Sequence, residues 1–114
     1  MSLTASVIAT TAPTKIVGAL SPELVKPEFR GEHPLSGHCY VASEAFYHLV
    51  GGKPMNVRHE GVSHWFILLD DEVVDLTAAQ FDTPVDYSKA RGCGFLTKQP
   101  SKRCQVVLDR IACM

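Results

Sequence analysis

The stretch SHWFILLDDEVVDLTAAQF, residues 63–81, decides how this chain folds. An apolar run from His64 to Leu69 meets Asp70-Asp71 and resumes from Glu72 to Leu76, the pattern of two β-strands joined by a tight turn. If the turn has two residues, Leu69 faces Glu72, Phe66 faces Asp75 and His64 faces Thr77. Facing residues share a side of the sheet, and every second residue keeps that side. His64 and Asp75 then project from one face as diagonal neighbours, roughly 7–8 Å apart at the backbone, a gap their side chains can close. A three-residue turn would send them to opposite faces. Neither strand alternates cleanly between apolar and polar, so the hairpin is expected inside the sheet with both faces covered. Ala78 to Phe81 reads as a short turn of helix.

Upstream, SGHCYVASEAFYHLVGG, residues 36–52, places Val41, Ala42, Ala45, Phe46 and Leu49 at helical spacing, with Gly51-Gly52 as the stop. Cys39 falls in the first turn of that helix. Between helix and hairpin, Lys53 to Ser63 is polar and holds Pro54, His59 and Gly61, which predicts a surface loop. Residues 1–11 are small, Thr- and Ala-rich and without periodicity, a loose arm. Pro13 is expected to open a short helix through Val17, and Ser21-Pro22-Glu23 a second one that Lys26-Pro27 stops. Glu28 to Ser36 reads as a loop. Downstream, Thr83 to Gly94 is rich in turn formers and Phe95 to Thr97 reads as a last short strand. Pro100 to Arg103 starts a terminal helix with Cys104, Val107, Leu108 and Ile111 on one side.

With 114 residues and 46% hydrophobic content, the chain is long enough for one domain with a core and too short for two. Eleven basic residues against twelve acidic ones provide no electrostatic reason for a nucleic-acid or anionic-membrane partner. Residues 1–17 lack the basic start and unbroken apolar stretch of a secretory signal, and no run approaches membrane-spanning length. The expectation is a cytoplasmic protein whose four cysteines are free thiols. No C-x-x-C pair and no zinc-type histidine pair is present, so neither a metal nor an organic cofactor is expected.

Chemistry concentrates on three residues. A helix start presents unpaired N–H groups and a positive dipole end, which favour a thiolate, so Cys39 is a candidate nucleophile. A thiol needs a base and the base needs an orienting group, and His64 with Asp75 supplies both. Each also has an ordinary reading: Cys39 as a small buried hydrophobe, His64 bonded to a carbonyl, Asp75 capping the turn at Leu76-Thr77-Ala78. The shared face of His64 and Asp75 favours the functional reading. His38, beside Cys39 on the helix, points about 100° away and suits an oxyanion or auxiliary role with Gly37. His59 and Trp65 are candidate substrate-side residues, although Trp65 is first expected to pack against a helix from the reverse face of the sheet. Glu44 is expected at the solvent face, and Cys93 in a tight turn.

The blocks LVKPEFR, GHCYVASEAFYHLVGG, SHWFILLDDEVVDLTAAQF and GFLTKQPSKR, from about Leu24 to Arg103, resemble small bacterial and phage proteins of the YunG-like kind. The order cysteine on a helix, histidine on a strand, aspartate on the next strand resembles the transglutaminase-like branch of the papain-like cysteine hydrolases. That resemblance implies an α+β papain-like fold, a cysteine helix packed on a small antiparallel sheet with a C-terminal helix, and Cys39 as nucleophile, His64 as general base and acid, Asp75 as orienter. One departure stands out: papain-like proteases place a glutamine shortly before the cysteine as an oxyanion donor, and none precedes Cys39 here. The backbone N–H of Cys39 with a second donor from Ser36 to His38 is the expected substitute.

The leading expectation is a cysteine hydrolase or acyl transferase acting through a thioester on an amide or ester of a protein or small molecule. The competing one is a non-catalytic binding or inhibitory protein, of the phage-accessory type, on the same scaffold. A redox sensor using Cys39 and Cys93 is a weaker third.

Overall fold

The computed structural model describes residues 2–29, 31, 33 and 35–113. It is an α+β arrangement in which, among the described residues, three α-helices lie on one side of a four-stranded antiparallel sheet. The strands are β1 (Lys53–His59), β2 (Val62–Leu69), β3 (Glu72–Val74) and β4 (Arg91–Gly92), in the order β3-β2-β1-β4.

The β2–β3 turn has the predicted two residues. Leu69 pairs with Glu72 and Ile67 with Val74, while Asp70 and Asp71 both take positive φ, 50° and 65°. Two left-handed central residues match the right-handed twist of the flanking strands. Of this hairpin only β2 lies inside the sheet. β3 is an edge strand with Val73 42% exposed, so the expected covering of both strands is corrected.

The segment Lys53 to Ser63 is not a loop. It forms β1, a turn at Glu60-Gly61 (φ 49° and 75°) and the start of β2. Met55 and Val57 alternate with Asn56 and Arg58, the period-two signal of a half-covered strand. Phe95 to Thr97 is not a strand either. After β4 the Cys93 N–H still bonds the Pro54 carbonyl at 3.1 Å, but Phe95 leaves the sheet to stack on Trp65, with ring centroids 5.5 Å apart.

Helix α2 (Cys39–Leu49) begins at the predicted cysteine and is the centre of the fold. Val41, Ala42, Ser43, Glu44, Ala45 and Phe46 are all buried, because the helix meets the sheet on one side and two other helices on the other. Gly52, φ 102°, lets the chain turn straight into β1; a Cβ there would stand 2.4 Å from Ile67 Cγ2. Helix α3 (Lys102–Ala112) is capped by Ser101, whose Oγ accepts from the Cys104 N–H at 3.2 Å. Cys104 and Val107 are buried with Leu108 and Ile111 packed beside them, the predicted face.

Helix α1 (Ser2–Ala19) replaces the expected loose arm and runs through Pro13 rather than starting there. Local pattern does not show it, since its residues are not amphipathic. Tertiary packing does: Ala12, Ile16 and Ala19 form a buried stripe in the same core as α2 and α3. Ser21-Pro22 opens a one-turn 3-10 helix, Pro22–Leu24, at the expected place, although the Ser21 hydroxyl makes no capping bond and accepts from Arg110 instead, and a second, Pro27–Phe29, falls at the start of the expected loop. The helical turn expected after Thr77 is present at Ala78–Gln80. No helix among the described residues is long and apolar enough to cross a membrane.

Candidate functional site

Alternation along β2 sends Trp65, Ile67 and Leu69 toward α2, and His64 and Phe66 to the opposite face, where the chain from Asp75 to Tyr87 covers them. His64 is fully buried, and its Nε2–H donates to Asp75 Oδ2 at 2.7 Å. The carboxylate is itself only 3% exposed and also accepts the Thr77 N–H on Oδ1 at 3.3 Å. The proton on Nε2 leaves Nδ1 as the free end of the ring, and it has no hydrogen-bond partner among the described residues.

Cys39 faces that ring. Burial alone would lower the His64 pKa; the hydrogen bond to Asp75, and after it the neighbouring Cys39 sulfur, outweigh burial and lift it to about 9. In the resting geometry the Cys39 thiol lies 3.7 Å from the Ser63 carbonyl, a long contact to a weak donor. The histidine therefore stands between an aspartate bound at one nitrogen and a thiol beside the other.

Of the three residues Cys39 alone reaches a cleft of about 910 Å³, whose wall also includes Gly37, Tyr40, Ser63, Trp65, Gln80, Phe81 and Arg103, while His64 and Asp75 lie buried behind it. Its aromatic side is fixed by Tyr40 packed edge-on against Trp65 at 4.9 Å and against Phe95 at 5.3 Å. Trp65 thus packs on the α2 side, as expected, and also lines the cleft. Phe81 closes the other side, edge-on to the His64 ring at 4.8 Å.

Three expectations are corrected. His38 turns away from the cleft: it is buried, with Nε2 2.9 Å from the Ser21 carbonyl, and ties α2 to the Pro22–Leu24 turn. His59 is not in a loop and does not line the cleft. It ends β1, contacts the Thr83 carbonyl and hydroxyl at 3.1 and 3.0 Å, and packs against Phe81 from the far side at 4.8 Å. Glu44 is fully buried rather than solvent-facing, accepting the Ser101 N–H at 2.7 Å and its hydroxyl at 2.6 Å. A carboxylate belongs there because it binds the open N–H end of α3.

Of the substitute oxyanion donors, the Ser36 and His38 N–H groups are spent on local turns, bonding the His33 and Leu35 carbonyls at 3.0 and 3.2 Å. The start of α2 has no side-chain cap. Gln80 brings a side-chain amide to the cleft wall, with Nε2 3.1 Å from Thr77 Oγ1, from a position after the cysteine where the search for a preceding glutamine does not look.

Tyr87 was also missed. Its hydroxyl donates to Asp75 Oδ2 at 2.7 Å, the same oxygen that His64 uses, and burial followed by this contact pushes the phenol well above its ordinary range. The only signal was Asp86, whose carboxylate accepts the Ser88 N–H at 3.1 Å and starts the one-turn helix Tyr87–Lys89. Among the described residues no cluster of histidine, cysteine and carboxylate side chains could hold a metal ion.

A protein-family model described as YunG protein matches residues 17–108. No curated protein and no solved structure matches the chain.

Proposed function

The chain belongs to the YunG family, and from that premise we propose that it is a cysteine hydrolase or acyl transferase with Cys39 as nucleophile, His64 as general base and acid, and Asp75 as the orienting carboxylate. One observation carries this reading: a buried His64–Asp75 pair at 2.7 Å whose other ring nitrogen is left bare beside a thiol at the wall of a cleft. A bare nitrogen alone would not single it out, since buried His38 also leaves Nδ1 without a partner; the carboxylate on one side of His64 and the thiol on the other do. An imidazolium at His64 is the natural counter-ion for a Cys39 thiolate, which attacks an amide or ester carbonyl. The new C–S bond gives a tetrahedral oxyanion. Its collapse expels the amine or alcohol, which takes the proton from His64, and water or an amine then resolves the thioester. The Cys39 N–H and the Gln80 amide are the proposed oxyanion donors. The papain-like relation belongs to this proposal: it rests on the order and placement of the three residues.

The substrate class is an amide or ester of a protein or small molecule, admitted by a short cleft with an aromatic wall. The test is intact mass spectrometry after exposure to a panel of activated esters and aryl amides. A single acyl adduct mapped to Cys39, absent in His64→Ala, is the expected result; no adduct at Cys39 with any donor refutes it.

The alternative, a non-catalytic binding protein on the same scaffold, is favoured by one feature: Cys39 is only 7% exposed and its thiol leans on the Ser63 carbonyl. Rotation of the thiol toward Nδ1 is what turnover requires, and catalytic contacts are commonly long before substrate binds.

A further inference from the structure

Two donors converge on one oxygen of Asp75. His64 Nε2 and the Tyr87 hydroxyl each lie 2.7 Å from Oδ2, in surroundings from which water is nearly excluded. Hydrogen bonds of this length to a carboxylate draw on the same negative charge, and in a poorly solvated site that sharing is felt strongly. We propose that Tyr87 is a positioning residue that acts through Asp75 to hold down the proton affinity of His64.

The geometry separates this from a merely structural role. Asp75 is already oriented without Tyr87, since the Thr77 N–H holds Oδ1 and His64 holds Oδ2. The Tyr87 ring is already anchored without its hydroxyl, packed edge-on to Phe66 at 4.9 Å. What the hydroxyl adds is the withdrawal of charge from the oxygen facing the imidazole. Without it, Asp75 would bind the imidazolium more tightly, and a histidine held too firmly as the cation is a poor proton donor to a leaving group. The remaining groups that face the pair are few. Cys39 approaches Nδ1 from the start of α2, and His59 lies beyond the Phe81 ring that separates the two imidazoles.

The inference deepens the hydrolase reading, because it concerns how the proposed base is tuned, but its test needs no turnover. The imidazole resonances of His64 are titrated by NMR in the native chain and in Tyr87→Phe. The His64 midpoint is expected to rise by about 0.5 pH unit or more in the variant, while that of His59 stays. Site-specific 3-fluorotyrosine at position 87, a slightly stronger donor in the same place, is expected to move it the other way. It also keeps the hydroxyl contact should Tyr87→Phe fail to fold. A midpoint that stays or falls in Tyr87→Phe, or fails to fall with the fluorinated ring, overturns the proposal. An unreactive Cys39 alongside the expected shifts would sink the hydrolase reading and leave this coupling standing.

Discussion

Helices α2 and α3 each carry a buried cysteine in the first turn, and the two sites differ in what faces the sulfur. Cys39, the first residue of α2, looks onto an imidazole; Cys104, the third of α3, looks onto the Glu44 carboxylate. Burial, and after it the charge of Glu44, push the Cys104 thiol up to about 12. A helix start alone therefore does not make a nucleophile. At α3 the open N–H end is already satisfied by the Ser101 hydroxyl and by Glu44 bonding to Ser101, so the dipole has been used for structure. The uncapped start of α2 retains it.

The comparison breaks most visibly if Glu44 is removed. Glu44→Ala removes the acceptor of two part-buried donors on Ser101, at about 1–2 kcal/mol each, so chemical denaturation should show a loss of about 3 kcal/mol. In the folded variant, Cys104 should become easier to ionise and to alkylate.

Alkali should distinguish the two sites in successive windows. His64 has its pKa raised from 6.5 to about 9, so the folded state holds a proton that the unfolded chain releases. That stabilisation is complete below pH 6.5 and is lost as pH rises to about 9, a change of up to about 3 kcal/mol. Cys104, raised from 9.0 to about 12, takes over the same slope in the next window. Denaturation at a series of pH values should show Asp75→Asn flattening the lower window and Cys104→Ala the upper one.

His64→Ala should slow alkylation of Cys39 at neutral pH roughly tenfold or more, by removing the counter-ion that favours the thiolate, and leave the other cysteines as they were. The smallest effect is expected from Cys104→Ala, about 1 kcal/mol of stability with Cys39 labelling unaltered, since that sulfur only fills space.

The legible part of the molecule is local. The Asp70-Asp71 turn fixes a register, and a period of two then carries His64 and Asp75 to one face. Helical spacing after Gly37-His38 does the same for Cys39, and both elements stand as expected. What escaped depends on neighbours distant in the chain. Lys53 to His59 is polar because one side of β1 stays wet, and its alternation hides behind a proline and a histidine. Glu44 looks like a surface residue until Ser101, 57 positions away, is brought against it. Tyr87 reaches Asp75 across an irregular segment with no period to follow, and residues 2–11 form part of a helix whose buried stripe appears only once α2 and α3 are in place.

The most direct measurement is competitive labelling of the native protein with limiting iodoacetamide at pH 7, read out peptide by peptide. The account predicts that Cys39, though buried, is modified ahead of the exposed Cys93 and Cys113, with Cys104 last. Labelling that simply follows exposure, with Cys39 as slow as Cys104, would contradict it.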